Sequence, residues 1–194
     1  LDEALKLRLK TMILTECEMP GVQVMEPLVV PDIRGRFVKI YHQKSFKDFG
    51  LEYQFKESFY TVSKKNVIRG MHYQLPPRDS IKTIFVTKGA ILDVVLDIRK
   101  GSPTFGNHLF FELSEKNHRM IYIPAGCAHG FLSMLNDSCV MYSHTEMYDK
   151  ECEKGIHFDL FGMNWGVNQP IVSDRDSNFI LFKNFESPFC FNDR

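Results

Sequence analysis

The sequence lacks a charge excess, a paired cysteine motif and a long apolar run. Lys and Arg number 24 and so do Asp and Glu, which gives a formal net charge of zero, so neither nucleic acid nor an anionic membrane surface is expected as the main partner. The five cysteines are odd in number and show no CxxC spacing, which argues against a zinc ribbon or a disulfide framework and favours a reducing, cytoplasmic compartment. No apolar segment has the length of a transmembrane helix, and no stretch has the layout of a signal peptide.

Helical periodicity of the apolar residues is almost absent as well. Phenylalanine occurs 17 times and Val, Ile and Tyr are frequent, a composition that favours strands. Short strand-like segments recur about every eight to twelve residues with turn signals between them, which predicts an all-β sandwich or barrel. Strands are predicted at residues 53–63, 67–74, 82–87, 90–98, 109–113, 119–123, 128–134 and 139–146, and short helices at 43–50 and after Ser173.

The length of 194 residues fits one domain of ordinary size or one domain with an extension. Residues 1–11 are predicted to be an artificial or flexible extension, because the chain begins at Leu1 and Met12 suits a natural start. A short amphipathic native helix is the alternative for these residues. Residues 12–194 are predicted to form a single domain, whose segment from Gly155 onward is mostly irregular.

The stretch at 69–74 brings an arginine, a glycine, a histidine, an aromatic residue and an amide together within one predicted strand. Strand alternation places Arg69 and Tyr73 on one face and His72 and Gln74 on the other. Gly70 has no side chain and is expected to leave room beside His72 for another molecule. A histidine titrates near neutral pH and can take up or release a proton; the alternative is a hydrogen-bonded structural histidine.

A second glycine-bearing histidine, His129, lies in the phrase IPAGCAHGF at 123–131. A PxGxxH phrase downstream of an RGxH strand resembles a jelly-roll barrel of the cupin type. Many cupins bind a metal through HxHxxxE, but here Gln74 replaces the second histidine and no glutamate lies in register. Because two imidazoles without a carboxylate make a poor transition-metal site, no bound metal is predicted.

Four further side chains are candidates to work with His72, and each also has an ordinary structural interpretation. Lys82 opens a predicted strand and could direct a cation into the barrel, or it could be a solvated strand-end lysine. Tyr142 could present a phenol inside the barrel, or it could be a core tyrosine with a bonded hydroxyl. Asp174 and Asp176 could cap a turn, and one of them could hold the histidine tautomer.

Taken together and in order, these phrases closely resemble the dTDP-4-dehydrorhamnose 3,5-epimerase family over residues 12–176. The phrases are IRGMHYQ at 68–74, Lys82, DIRKGSPTFG at 97–106, IPAGCAHGF at 123–131 and PIVSDRD at 170–176. Each phrase alone is a weak signal, and their shared order is a strong one. The resemblance implies a cupin homodimer without metal or cofactor that acts on nucleotide-diphospho-4-keto sugars.

The resemblance also implies catalytic roles for four residues. His72 matches the catalytic base and Asp176 matches the carboxylate that orients it, with Asp174 as the less favoured acid. Tyr142 matches the acid on the opposite face of the sugar. Lys82 matches the cation beside the C4 carbonyl oxygen.

Substrate contacts follow from the same resemblance. His129 matches a wall residue that contacts the sugar, and Arg69 matches a diphosphate contact. Arg34 and Phe37, in DIRGRFVK at 32–39, match residues that the neighbouring subunit of the dimer lends to the nucleotide. Gln74 is expected to contact the substrate as well.

Two departures from the family pattern fall where nucleotide contacts are expected. The family's usual acid at the end of DERGFFME is replaced by Lys39, and a Gln-x-Asn stretch is replaced by Glu57-Ser58-Phe59. Both Lys39 and Glu57 are therefore candidate nucleotide contacts, and the nucleotide could be GDP or CDP instead of dTDP. The sugar could be a 6-deoxyhexose or a heptose.

The predicted function is inversion at C3 and C5 of a nucleotide-linked 4-keto sugar by proton removal and return through an enolate. Three alternatives remain at this point: an epimerase of one position only, a 3,4-ketoisomerase of the same barrel class, and a non-catalytic sugar-binding cupin. The joint presence of base, orienting acid, cation and phenol argues against the last, because binding alone needs no such set.

Overall fold

The computed structural model describes residues 12–159 and 161–191. The predicted extension at residues 1–11 lies outside the described residues. The strands of the described part are β1 (Ile13–Glu16), β2 (Gln23–Glu26), β3 (Leu28–Asp32), β4 (Gly35–Lys39), β5 (Glu57–Ser63), β6 (Ile68–Gln74), β7 (Lys82–Lys88), β8 (Ala90–Asp97), β9 (Arg99–Lys100), β10 (His108–Ser114), β11 (Met120–Ile123), β12 (Cys127–Ser133), β13 (Ser138–His144), β14 (Glu153–Gly155) and β15 (Phe189–Cys190). The helices are α1 (Gln43–Asp48), α2 (Asp174–Ser177) and a 3₁₀ helix (Phe182–Asn184).

Two antiparallel sheets face each other across a shared apolar core. One has six strands in the order β1-β2-β11-β7-β13-β5, and the other has five in the order β10-β8-β12-β6-β14. Side chains of both sheets form this central core, for example Ile84 of β7 and Val95 of β8, which are fully buried. The predicted all-β jelly-roll fold is confirmed.

Both outer faces of this sandwich are covered by the remaining chain. Phe161, Trp165 and Phe189 of the C-terminal segment pack on the outside of the five-stranded sheet. Phe46 of α1 packs on the outside of the six-stranded sheet and is fully buried. The middle strands are therefore buried on both sides, which explains their nearly continuous apolar sequences.

Strand alternation directs three predicted site residues into the space between the sheets. Lys82 lies an even number of residues from the central-core residues of β7 and therefore on the same face of the strand. The same holds for His129 on β12 and for Tyr142 on β13. Because neighbouring residues of a strand point to opposite faces, these three polar side chains share the inner side with the central core. They lie at the end of the core where the sheets leave a cavity.

The alternation predicted for β6 is wrong at its first half. His129 pairs with His72 and Phe131 pairs with Arg69, so two residues of β6, Gly70 and Met71, oppose one residue of β12. Such a bulge shifts the facing of the strand by one residue. As a result the arginine and the histidine line the same cavity, although simple alternation put them on opposite faces.

The role expected for Gly70 is also wrong. A Cβ atom at this position would lie 2.4 Å from the Cα of Gly130 and 3.0 Å from the carbonyl oxygen of His129. The missing side chain therefore allows β6 and β12 to approach closely and leaves no space for a ligand. Its φ of +139° is a second reason for glycine.

Most predicted elements are observed with small changes at their ends. The predicted helix at 43–50 is α1, followed by Gly50 with φ +70°, and the helix predicted after Ser173 is α2. The strand predicted at 53–63 begins only at Glu57. Strands β9, β14 and β15 were not predicted because they are only two or three residues long. None of the helices in the described ranges has the length and apolar character needed to cross a membrane.

Candidate active site

A cavity of about 370 Å³ opens between the two sheets and receives side chains from both. Seven of the residues predicted for the site line it: Glu57, Arg69, His72, Gln74, Lys82, His129 and Tyr142. Eight further lining residues were not predicted for the site: Phe59, Thr61, Tyr73, Phe131, His144, Tyr148, Glu153 and Arg175. The cavity is therefore the place where the candidate chemistry of the chain converges.

His72 is paired with Asp176, which lies behind it. Nε2 of His72 is 3.0 Å from Oδ1 of Asp176, and Oδ2 accepts a hydrogen bond of 3.1 Å from the backbone N–H of Gly70. The Asp176 side chain is 3% exposed, whereas Asp174 is exposed, so Asp176 is the acid that contacts the histidine. Burial raises the pKa of Asp176, but the hydrogen bond and charge of His72, the Gly70 N–H and Arg175 outweigh it and lower the pKa to about 2.

Arg175 is a cation at this pair that sequence reasoning missed. Its Nη2 atom lies 3.1 Å from Nε2 of His72, and its Nε donates a hydrogen bond of 3.2 Å to Oδ1 of Asp176. Its Nη1 forms an ion pair of 2.5 Å with Glu153 of β14. No local pattern marks this position, because two of its partners, His72 and Glu153, come from strands that are distant in the sequence.

Lys82 is a buried cation in the same cavity. Its Nζ donates a hydrogen bond of 3.3 Å to the backbone carbonyl oxygen of His72. Burial lowers the pKa of Lys82 to about 8, against smaller opposing effects of Cys127, Asp93 and Glu153. The side chain is therefore charged at neutral pH and close to its titration point.

His129 also has a carboxylate partner. Its Nε2 lies 2.7 Å from Oδ2 of Asp93, and both side chains are almost completely buried. Burial lowers the pKa of His129, although the neighbouring Asp93 raises it. Oδ1 of Asp93 is buried and has no hydrogen-bond partner among the described residues. The pair fixes the His129 ring against the cavity wall.

Tyr142 presents a buried phenol to the cavity from β13. Phe59 of β5 stacks on it with a ring-centroid distance of 4.8 Å and an interplanar angle of 16°. The His129 ring meets it edge-on at 6.2 Å. Burial raises the pKa of Tyr142 strongly, so the phenol stays protonated at neutral pH.

His144 lies two residues beyond Tyr142 and therefore on the same face of β13. Burial lowers its pKa to about 3, with further contributions from the charges of Lys82 and His129, so the ring is neutral. Its Nε2 is buried without a hydrogen-bond partner in the described part of the chain. Strand alternation from Tyr142 could have identified this residue, just as alternation from Glu57 could have identified Phe59.

Three predicted substrate contacts differ in how free they are to bind a ligand. Arg69 donates hydrogen bonds from Nε to Ser63 Oγ at 3.0 Å and from Nη2 to the Val62 carbonyl oxygen at 3.4 Å, and its Nη1 can still face an anion. A carboxylate oxygen of Glu57 accepts a hydrogen bond from the backbone N–H of Tyr148 at 2.6 Å. The amide of Gln74 bonds three backbone groups of the following loops. These hydrogen bonds hold the loops at the cavity rim, and a contact of Gln74 with the substrate stays a prediction.

Arg34, Phe37 and Lys39 do not line the cavity of their own chain. They belong to the hairpin of β3 and β4, which is exposed: Phe37 is 54% exposed. Arg34 forms an ion pair with Asp32 across the turn, and the Lys39 ammonium lies 5.9 Å from the Phe37 ring centroid. Any contact of this hairpin with a bound nucleotide would have to be made outside the cavity formed by one chain.

The arrangement is suited to moving a proton on carbon. A histidine with an orienting carboxylate, a phenol on the facing sheet and a buried ammonium group meet in one cavity. Among residues 12–159 and 161–191, no group of three or more His, Cys, Asp or Glu side chains is placed to share a metal ion. The titratable side chains of the cavity can act as acids, bases and cations.

Comparison with known proteins gives a consistent result. A family model described as dTDP-4-dehydrorhamnose 3,5-epimerase matches residues 16–184. The dTDP-4-dehydrorhamnose 3,5-epimerase of Shigella flexneri is 38% identical over 164 residues, which cover 83% of this chain and 91% of that protein.

Solved structures share the fold over most of their length. A dTDP-6-deoxy-D-glucose-3,5-epimerase from Legionella pneumophila, in complex with dTDP-4-keto-L-rhamnose, has a TM-score of 0.88 at 30% identity and covers 93% of this chain and 100% of that chain. A 3'-monoepimerase from Streptomyces bikiniensis, in complex with dTDP-quinovose, has a TM-score of 0.81 at 30% identity, with 86% of each chain covered. This chain belongs to the dTDP-4-dehydrorhamnose 3,5-epimerase family.

Proposed function

We propose that this protein is a carbohydrate epimerase that inverts C3 and C5 of a dTDP-linked 4-keto-6-deoxyhexose. The observation that carries the proposal is the placement of His72 and Tyr142 on facing sheets of one cavity, with Lys82 in the same cavity. Epimerisation beside a ketone removes a proton from one face of the carbon and returns one from the other face. A base and an acid on opposite walls meet that requirement.

His72 removes the carbon-bound proton. Its Nε2 lies 3.0 Å from Asp176; in the tautomer active as a base, the Nε2–H group donates a hydrogen bond to this carboxylate and Nδ1 has the lone pair. A positioned base contributes about 10²–10⁴-fold to the rate. A proton next to a ketone is far less acidic than an imidazolium, whose ordinary pKa is about 6.5, so the base needs help from groups that stabilise the enolate.

Lys82 supplies that help as the cation at the C4 oxygen. A preorganised donor to a developing oxyanion contributes about 3–4 kcal/mol. Because Lys82 is buried, its charge is poorly screened and acts strongly on the enolate. The 4-keto group acidifies both neighbouring carbons, so one cavity can invert C3 and C5 in turn.

Tyr142 returns the proton. Its phenol is protonated at neutral pH, because burial raises its pKa, and this makes it a donor to the enolate carbon. The Phe59 ring stacked on it fixes its orientation. His129 and its partner Asp93 form the wall against which the sugar lies.

The diphosphate is bound by arginines at the cavity wall. Guanidinium groups match the oxygens of a diphosphate in pairs, and Arg69 and Arg175 both line the cavity. Binding energy from the nucleotide end of the substrate can offset the cost of orienting the sugar.

For the nucleotide we propose dTDP, because the similar enzymes are named as acting on dTDP-linked sugars. GDP and CDP are the alternatives, since Lys39 and Glu57 stand where the family pattern has other residues. Calorimetric titration of the protein with dTDP, GDP and CDP, alone and in competition, decides between these nucleotides. Tighter binding of GDP or CDP than of dTDP would show that the enzyme uses a nucleotide with a different nucleobase.

We also propose a homodimer in which the hairpin of β3 and β4 reaches the cavity of the neighbouring subunit. The hairpin exposes Ile33 completely and Phe37 by half, although apolar side chains of this size favour burial. Arg34 would then bring a further cation to the nucleotide. Light scattering tests the dimer, and mixing an Arg34→Ala subunit with a His72→Asn subunit tests the shared site through recovered activity.

Deuterium exchange tests the reaction itself. The protein is incubated with a dTDP-4-keto-6-deoxyhexose in deuterated water, and label at each carbon is measured by NMR. Label at both C3 and C5, with inversion, is expected. Label at one carbon would assign a single-position epimerase, a candidate favoured by the fold shared with the 3'-monoepimerase. No label at either carbon would overturn the proposal in favour of a binding protein.

A further inference from the structure

Nε2 of His72 lies within hydrogen-bond distance of two groups of opposite kind. Oδ1 of Asp176 is 3.0 Å away and can only accept a hydrogen bond, whereas Nη2 of Arg175 is 3.1 Å away and can only donate one. A neutral imidazole nitrogen carries either a proton or a lone pair. With a proton it bonds Asp176, and with a lone pair it bonds Arg175, so the two partners favour different tautomers.

Arg175 is placed so that an anion in the cavity could change this contact. Its side chain is 52% exposed, and the guanidinium forms part of the cavity wall. Glu153 binds it at 2.5 Å, and the guanidinium lies 5.7 Å from the ring centroid of Phe179. The same Phe179 ring meets His72 edge-on at 5.6 Å. These neighbours hold the arginine next to the histidine while leaving it open to the cavity.

We propose that Arg175 is a positioning residue that couples occupancy of the anion site to the tautomer of His72. This inference rests on the proposed function, because it takes the diphosphate of the nucleotide sugar as the anion. Without substrate, the guanidinium stabilises the tautomer with its proton on Nδ1, in which His72 is not ready to act as a base. When the diphosphate draws the guanidinium away, Asp176 is the only partner left at Nε2. Nδ1 then loses its proton to water while Nε2 takes one up, and Nδ1 gains the lone pair that removes the sugar proton.

Such coupling has a consequence for the enzyme as a whole. The base is complete only when the nucleotide end of a substrate is bound, so free sugars and small ketones are poor substrates even where they fit. A guanidinium in contact with an unprotonated ring nitrogen is a charge-assisted hydrogen bond, which is stronger than a neutral one. We therefore expect the ratio of the two tautomers to change by about tenfold when the contact is lost.

Nitrogen NMR of the histidine rings tests the coupling directly. Protein labelled with ¹⁵N-histidine is examined at about pH 8.5, where an imidazole is neutral, and the His72 signals are identified by their loss in His72→Asn. Spectra are compared for the wild type, Arg175→Met and Arg78→Met, each alone and with inorganic pyrophosphate or dTDP. Arg78 is a matched control, because it is 40% exposed, pairs with Glu146 and, within the described part of the chain, forms no hydrogen bond with His72.

The expected result is a shift of the His72 proton toward Nε2 on addition of dTDP to the wild type. Arg175→Met should have the proton on Nε2 already without ligand, and dTDP should not change its spectrum of His72 further. Arg78→Met should behave as the wild type. Equal His72 nitrogen signals in the wild type and Arg175→Met, both without ligand, would overturn the proposal. The comparison without ligand needs no turnover, so it stands apart from the deuterium-exchange result that decides the proposed function. The wild-type titration needs no variant and covers the case in which Arg175→Met does not fold.

Discussion

The ammonium group of Lys82 donates a hydrogen bond of 3.3 Å to the backbone carbonyl oxygen of His72. The two residues lie on strands of different sheets, β7 and β6, so this bond joins the sheets at the cavity. It also ties the proposed cation to the backbone of the residue that carries the proposed base. The ammonium group keeps further N–H donors for a ligand, and the geometry suits stabilisation of an enolate next to the carbon that loses its proton.

His72→Asn is expected to lower deuterium exchange at both C3 and C5 by about 10²–10⁴-fold, because asparagine keeps a polar side chain but cannot take up the proton. Exchange into a dTDP-4-keto-6-deoxyhexose is followed by NMR. His42→Asn is the control, since His42 lies exposed at the start of α1 on another part of the surface. Full exchange in His72→Asn would remove the histidine from the role of base.

Tyr142→Phe is expected to allow exchange but to impair inversion, because the enolate then lacks its donor on the opposite face. Product stereochemistry and label content are measured in the same sample. Tyr122→Phe is the matched control: it removes a buried hydroxyl that accepts a hydrogen bond from the Glu52 N–H but lies outside the cavity. If Tyr142→Phe inverted both centres at the normal rate, another group would have to be the acid.

The rate should depend on the charge of Lys82 at alkaline pH. Burial lowers its pKa to about 8, so the cation is present below that pH and is lost as the pH rises through it. We expect kcat/KM to fall above about pH 8, and Lys82→Met to lose about 10²-fold or more at all pH values. Lys56→Met, which removes an exposed ion pair with Glu146, should keep the wild-type profile. An unchanged kcat/KM from pH 7 to 10 would contradict this assignment.

Asp176 should make the fold sensitive to acid. Its pKa is about 2 in the folded protein against an ordinary value of 3.8. A carboxyl group whose pKa is lower in the folded than in the unfolded protein stabilises the fold at pH values above its unfolded pKa. This contribution is lost as the pH falls from about 4 to 2. Urea unfolding over this range should show that the wild type loses on the order of 2 kcal/mol more than Asp176→Asn. Parallel losses in the two proteins would mean that the carboxylate does not carry the effect.

Gly70→Ala should be strongly destabilising because of the contact between strands. The added Cβ would lie 2.4 Å from the Cα of Gly130, and such overpacking costs about 1–3 kcal/mol. Gly35→Ala separates this clash from backbone strain, since Gly35 has φ +128° and no atom within 4 Å of the added Cβ. Denaturant midpoints should fall further for Gly70→Ala than for Gly35→Ala. Equal midpoints would show that backbone conformation alone accounts for the glycine.

Much of the fold could be predicted because the signals are local. Apolar alternation and turn residues identified most of the long strands, and the turn at Gly50 marked the end of α1. The short strands β9, β14 and β15 have too few residues for a pattern to be visible. The facing of Arg69 relative to His72 was predicted wrongly. The bulge between them depends on pairing with β12, and the sequence of β6 itself has no pattern that shows it.

The residue types available for the site and the family resemblance could be read from the sequence, whereas the direction of Lys82 and Tyr142 stayed open until the strands were placed. The contact of Arg175 with His72, which lies 103 positions earlier in the chain, is visible only in the folded protein. The physical reason is that alternation acts between neighbours, whereas this contact depends on the pairing of β14 with β6 and on the place where α2 packs. Those long-range hydrogen bonds and contacts form only when the whole chain is folded.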